Sequence, residues 1–253
     1  MSTASHHPKR FSDTEWETRV QLAACYRMFA HLKWDELIYN HISLRVPGEP
    51  EHFLINPFGL HYSEVTASNL VKVNAQAQVV GHSDWGINPA AFAFHGAIHA
   101  QVPDAHCVMH VHTTPTLAVC CTEAGLSFTN FYAAQLWNQV AYHDFEGITV
   151  HHEEGQRILA SAGGKRVLLL RNHGPVVMGQ TLAQAFNLMW LVQRACEVQI
   201  ASQALGPLRP IPEDVLNNCV RDSLNFNPNT GAGEDSFAAM RRLVDKHNPG
   251  YAV

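Results

Sequence analysis

Three groups of histidines stand where imidazole chemistry could be done. Residues 107–119 read CVMHVHTTPTLAV, with His110 and His112 one residue apart at the end of an apolar run. In a strand, side chains i and i+2 share a face with α-carbons about 6.5–7 Å apart. Metal–nitrogen bonds of about 2.0–2.1 Å would let two such imidazoles converge on one cation, while the same spacing also suits histidines that only pack on a half-buried sheet. The second group is RNHGP (171–175), where His173 follows the apolar run RVLLL and Gly174-Pro175 forces a turn. Sheets of α/β proteins place ligands at strand ends, although a turn histidine bonded to backbone fits these residues too. The third is HGAIH (95–99), two histidines four apart on a helix, a spacing that can chelate a metal. No glutamate adjoins His95, and Phe92 and Ile98 make its surroundings core-like, so a packed or supporting His95 fits better than a ligand.

These groups need elements to hold them. Ser12 with Glu15 reads as a capping box, and Leu22, Cys25, Phe29 and Leu32 give a helix over about 13–33. Strands are expected at 40–46 and 52–55, separated by a turn with Pro47, Gly48 and Pro50. A short helix from Thr66 and a strand over 77–81 follow. Asn88 with Pro89 starts a helix running through Ala100. The strand 105–112 leads into Thr113, Thr114 and Pro115, again cap and first-turn chemistry. Strands at 166–170 and 175–179 precede a long helix capped by Thr181 with Gln184. The piece after Leu205 is rich in Pro and Asn before a final helix at about 234–246. Helices alternating with short strands indicate one α/β domain. Residues 1–12 read as a disordered or loosely packed N-terminus, 13–205 as the domain, and 206–253 as an extension packing on the domain or on a neighbouring subunit.

Composition narrows the classes. The 253 residues suffice for a real core, 46% are hydrophobic and only 15% charged, so a compact protein is expected and disorder is not. A net charge of −5 without Lys/Arg runs gives no reason to expect nucleic acid or an anionic membrane as partner. No segment reaches the roughly 20 apolar residues of a membrane span. Six cysteines form no CxxC pair, and free thiols in a reducing cytosol are the expectation. The N-terminus, MSTASHHPKRF, shows no apolar signal region. Histidine, at 17, equals Lys and Arg combined.

The order of the histidine groups adds meaning to each. A helix with His95, a run ending His-x-His and a later strand followed by RNHG form a pattern that resembles the class II aldolase/adducin family, most closely the adducin head domain and its bacterial relatives. LIYNHISLRV, HFLINPFGLHYSEVTASNLVKVN, HCVMHVHTTP, VAYHDFEGITV, LLLRNHGPVVMGQTLAQAF and AAMRRLVDK carry the resemblance across almost the whole chain. It implies a three-layer α/β/α sandwich with a mostly antiparallel central sheet, tetramers with active sites at subunit interfaces, and a divalent metal, usually zinc. The implied ligands are His110, His112 and His173. Three neutral imidazoles leave a coordination position open, the pattern of a catalytic site. Such a metal would be a Lewis acid toward a small-molecule carbonyl substrate.

The chain also departs from the sugar-phosphate aldolases of that family. Their Ser-Ser-Glu element falls on Pro89, Ala90 and Ala91, so the catalytic glutamate is an alanine with no titratable group. Phe58-Gly59 replaces the Thr or Ser before glycine in their phosphate loop, and Asn40-His41-Ile42-Ser43 replaces their glycine-asparagine. A lyase acting by aldol cleavage or decarboxylation on a non-phosphorylated carbonyl or carboxylate substrate is the leading expectation. Proton transfer would fall to Tyr132, His95 or His41, in that order. The alternatives are a non-catalytic adducin-like assembly protein and a non-haem iron oxygenase, the latter disfavoured because such sites usually add a carboxylate to two histidines.

Overall fold

In the computed structural model, described for residues 8, 10–149, 152–224 and 226–253, seven strands form one sheet between two layers of helices. In chain order these are α1 (Asp13–Leu32), β1 (His41–Val46), β2 (Glu49–Ile55), β3 (Val71–Asn74), α2 (Pro89–Gln101), β4 (Cys107–His110), α3 (Thr114–Cys120), α4 (Phe131–Ala134), β5 (Val140–His143), α5 (His152–Ala162), β6 (Val167–Leu170), β7 (Gly174–Gly179), α6 (Leu182–Gln203), α7 (Glu213–Leu224) and α8 (Glu234–His247). The sheet runs β3-β2-β1-β4-β7-β6-β5, and every pairing is antiparallel except β5 with β6. This is the expected α/β/α sandwich with a mostly antiparallel sheet.

Period-2 alternation assigns the two faces. Ile42, Leu44, Met109, Leu169 and Val177 join the larger core with residues of α1 and α6. Val108, Leu168, Leu170, Val176 and Met178 face the other way, onto Phe94 and Ile98 of α2 and Ile158 of α5. His41 and Ser43 share that second face, because they alternate with Ile42 and Leu44. Helix α5 comes close to α2 at Gly155, where a Cβ would sit 2.3 Å from the Ala93 carbonyl oxygen.

The start of β1 is pinned from behind. The fully buried Tyr26 of α1 donates its hydroxyl to the Ile42 carbonyl and accepts from the Ile42 and Asn56 backbone N–H groups, each at 3.1 Å. One phenol oxygen thus ties β1 to the end of β2 and fixes the chain on which His41 and Ser43 stand.

Several expectations are corrected. Helix α1 begins at the Ser12 cap, which accepts from Glu15 N at 3.2 Å, but the Glu15 carboxylate does not complete a capping box. It turns inward to Arg19 and Lys72 instead. No helix starts at Thr66: residues 62–64 form a 3-10 turn and 66–70 a turn in which Thr66 and Asn69 side chains occupy the backbone donors. Residues 77–81 make a single bridge, Val73 to Val79, because Ala77 at φ +63° reverses the chain at once. Pro50 lies inside β2 rather than in the preceding turn. The segment read as a tail after Leu205 contains α7, whose Leu216 is buried. Helix α8 packs on α1 and α6, and the Ala67 and Ser68 N–H groups donate to the Tyr251 and Val253 carbonyls at 2.7 and 2.8 Å. Of the N-terminal stretch 1–12, residues 1–7 and 9 lie outside the described residues.

The inward Glu15 has a measurable consequence. Arg19 is almost fully buried, donates to Glu15 at 2.8 Å and reaches the Ala67 and Leu70 carbonyls. Removing the carboxylate leaves a buried guanidinium without its counter-charge, a loss of about 3–5 kcal/mol. Urea unfolding of Glu15→Ala should show a decrease of that order. A midpoint matching the parent would mean that the carbonyls alone compensate Arg19.

Candidate metal centre

One end of the sheet gathers the candidate residues. There β1 begins at His41, β4 ends at His110, β6 ends at Leu170 and β7 begins at Gly174, with His41 opposite His110 and His110 opposite Val176. Residues 171–173 bridge β6 to β7 in a tight turn: His173 N–H donates to the Leu170 carbonyl at 3.1 Å, and Asn172 adopts the left-handed conformation at φ +58°. Asn tolerates that region better than most residues. The reversal returns His173 toward the end of β4.

His110, His112 and His173 then converge, with one nitrogen of each lying within 4.8 Å of the others. The approach of His110 and His112 was expected from a single strand face, but β4 stops at His110 and His112 lies beyond it. The two still meet, Nε2 to Nε2 at 2.7 Å. Gly174 lets this happen: a Cβ there would lie 2.4 Å from the Val111 carbonyl oxygen and 3.3 Å from the His112 ring.

The donor set fits a divalent cation. His110 Nδ1 lies 2.9 Å from the Pro175 carbonyl oxygen, which can only accept. The proton of neutral His110 is therefore on Nδ1, and Nε2 is left as a lone pair toward its neighbours, the arrangement by which an outer carbonyl sets the tautomer of a metal-binding histidine. Burial pushes all three imidazoles below the ordinary histidine value, His112 to about 4, so they are neutral near pH 7. Neutral imidazole is the ligating form.

These rings stand in the wall of a cavity of about 590 Å³, with His41 and Phe94 beside them and Phe145, Ile148 and Glu36 toward its mouth. Among the described residues no lysine or arginine lines it. Glu36 and Phe145, like the Pro175 carbonyl, escaped sequence reasoning because they come from separate loops with no spacing signal.

The proton-transfer candidates fare differently. His41 lines the cavity. His95 stands behind it, fully buried, with Nε2 at 3.0 Å from His41 Nδ1 and Nδ1 at 2.7 Å from Ser43 Oγ. Within one chain Tyr132 is not brought to the cavity; it sits on α4 beside Phe131, with Arg194 over its ring at 5.4 Å. Ala91, where the glutamate would stand, is buried against Phe53, Ile55 and Phe92, while Ala90 reaches the cavity. Thr113 caps α3 without a side-chain bond to it, and its hydroxyl donates to Gln193 at 2.6 Å.

The comparisons with known proteins decide the family. Residues 20–200 match the family model described as Class II Aldolase and Adducin N-terminal domain. The chain belongs to that family. It is 43% identical over 244 residues to a Pseudomonas aeruginosa protein provisionally named an aldolase class 2 protein, covering 95% of this chain and 93% of that one. It is 42% identical over 250 residues to alpha-adducin of Rattus norvegicus, covering 92% of this chain but only 33% of the adducin. Among solved structures, an aldolase II superfamily protein from Pseudomonas syringae superposes with a TM-score of 0.90 at 37% identity, covering 96% of this chain and 98% of the other.

The buried imidazoles next to the centre predict acid lability. His95 is held well below the ordinary histidine value and His99 at about 3, in both cases chiefly by burial. The unfolded chain, with ordinary histidines, takes up protons below about pH 6.5 that the folded chain refuses, so stability falls with falling pH. Each such group contributes about 1.4 kcal/mol per pH unit in that window and nothing above it. Urea midpoints in chelator-treated protein should be flat from pH 7 to 8.5 and drop steeply toward pH 5. A flat profile down to pH 5 would show these rings to be solvated.

Proposed function

We propose that the chain is a divalent-metal lyase, cleaving or decarboxylating a non-phosphorylated hydroxy-carbonyl or carboxylate compound. The observation that carries this reading is three neutral imidazoles meeting in the wall of a cavity that, among the described residues, no lysine or arginine lines. His110, His112 and His173 would hold the ion, and three imidazoles suit zinc above all. The bound metal supplies Lewis acidity toward a carbonyl oxygen. The remaining work would fall to the chain: the buried Phe94 forms an apolar part of the wall, and His41 offers the imidazole nearest the cluster, its ring 5.0 Å from that of His110. His41 therefore displaces Tyr132 as the first choice for moving a proton, with His95 acting behind it. Tyr132 could serve only a second subunit's cavity.

Among the described residues, a phosphate dianion would find no lysine or arginine in this cavity and would have only the metal to meet. Phe58, Pro89 and Ala90 bring no hydroxyl in place of those the sugar-phosphate aldolases use. The domain over 13–205, with its extension 206–253, would work as a cytoplasmic homo-oligomer, a tetramer by its resemblance. The exposed Phe131, Leu205 and Phe226 support subunit contacts. A non-catalytic assembly role is the second reading, favoured by the likeness to alpha-adducin. An iron oxygenase is favoured less, since the cluster holds three imidazoles and no carboxylate among the described residues.

Elemental analysis of protein purified without chelator should find one equivalent of divalent metal per chain. The His110→Ala/His112→Ala double variant should retain less than a tenth of it while folding normally, and unchanged metal content would overturn the ligand set. Gly174→Ala should lower metal content as well, since its methyl group displaces the Val111 carbonyl that backs both histidines. Ketose and aldose phosphates should be turned over at least a hundredfold more slowly than a non-phosphorylated substrate, about 2.7 kcal/mol in the barrier. Efficient turnover of a sugar phosphate would refute the non-phosphorylated reading.

A further inference from the structure

Behind the cavity wall lies a hydrogen-bonded chain that the metal ligands do not use. His99 Nδ1 is 2.8 Å from the Ala105 carbonyl oxygen, and His99 Nε2 is 2.6 Å from Ser43 Oγ. Ser43 Oγ is 2.7 Å from His95 Nδ1, and His95 Nε2 is 3.0 Å from His41 Nδ1. Ser43, His95, His99 and His41 are all buried, the last at 4% exposure, and His41 lines the cavity. The two helical histidines come from one face of α2, and the other two residues from one face of β1.

The direction of every bond in this chain is forced from its far end. A carbonyl oxygen only accepts, so His99 carries its proton on Nδ1. Burial keeps the ring neutral, which leaves Nε2 bare. That nitrogen can only accept, so Ser43 donates its single proton to it. The Ser43 oxygen must then accept from His95 Nδ1–H. Neutral His95 is left with a bare Nε2, which accepts from His41 Nδ1–H. His41 in turn is left with a bare Nε2, and that nitrogen has no partner among the described residues. Reversing the chain would require the Ala105 carbonyl to donate, which it cannot do.

We propose that Ser43, His95 and His99 are positioning residues that lock His41 in the Nδ1–H tautomer, so that the cavity is offered a hydrogen-bond acceptor which selects a ligand presenting a hydroxyl group there. This rests on the cavity being the substrate site. A carboxylate or phosphate oxygen placed against His41 would meet lone pair with lone pair, whereas an alcohol O–H is matched. The substrate class narrows to hydroxylated carbonyl compounds with a free hydroxyl beside the group that the cluster engages.

The test is two-bond nitrogen–proton correlation NMR on chelator-treated protein carrying 15N-labelled histidine, at pH 7.5. His41, His95 and His99 should each show a protonated Nδ1 and a pyridine-type Nε2. A proton on His41 Nε2, or on both its nitrogens, overturns the proposal. In Ser43→Ala the direction is no longer imposed, and a population of the Nε2–H tautomer should appear at His41. An unchanged His41 signal in a folded variant would overturn the role of Ser43, and the parent spectrum decides the tautomer even if that variant fails to fold. The spectrum needs neither metal nor turnover. Expected tautomers in a protein without lyase activity would therefore sink the proposed function alone, and the wrong tautomer in an active lyase would sink this inference alone.

Discussion

The Pro175 carbonyl, 2.9 Å from His110 Nδ1, is the contact on which the centre turns. An imidazole buried in protein has two nitrogens and one proton, and its chemistry depends on which nitrogen keeps it. By accepting from Nδ1, Pro175 leaves His110 Nε2 bare toward His112 and His173. That carbonyl is in place because β7 pairs with β4 in a register that sets His110 beside Val176. It also requires Gly174, since any side chain there would push away the Val111 carbonyl. The strand register, a glycine and one backbone acceptor thus act as a single constraint, and the donor set follows from it.

The same logic is repeated one layer back. Ala105, in the loop between α2 and β4, does for His99 what Pro175 does for His110. In both cases a backbone oxygen, which cannot reverse its role, sets the state of a ring whose other nitrogen faces a functional group. Burial supplies the second half of the constraint, because a charged imidazole would have to be desolvated and the ring stays neutral instead. Polar residues in this face of the sheet are tolerated because each one is satisfied by the next. Ser43 can be fully buried only as a link between two histidines.

Sequence reasoning reached the sheet and the histidine cluster for different reasons. The apolar runs at 107–111, 167–170 and 175–178 are buried on both faces, which makes strands plain without showing which face carries chemistry. The cluster was legible from the order of HxH and RNHG, which the family resemblance joins, and not from HxH alone. Strand alternation accounts for only part of it: His112 lies past the end of β4, so its approach to His110 depends on the turn at 171–174 as well. His41 and His95 were each visible as candidates. Their union was not, because it spans 54 residues and depends on α2 crossing β1 at one height. The pattern HIS at 41–43 held the signal, since alternation puts His41 and Ser43 on one face. Tyr132 drew attention through the resemblance, and α4 holds it against α6 instead.

The alanine at 91 can now be understood physically. In this chain it packs with Phe53, Ile55, Val71 and Phe92 in an apolar cluster at one end of α2. A carboxylate there would be desolvated without a cation to meet it, since the neighbours offer no charge. The polar residues of α2 stand one turn on, at His95 and His99, where Ser43 and the Ala105 carbonyl satisfy them. If the cavity is the substrate site, α2 would support there, through His95 and His41, a neutral acceptor and not an anionic one. An anionic base attracts protons from many donors, whereas a neutral nitrogen of fixed tautomer responds to a hydroxyl aimed along its lone pair. Such an acceptor would offer direction in place of basicity, and in a cavity that no described lysine or arginine lines, direction would distinguish one neutral ligand from another.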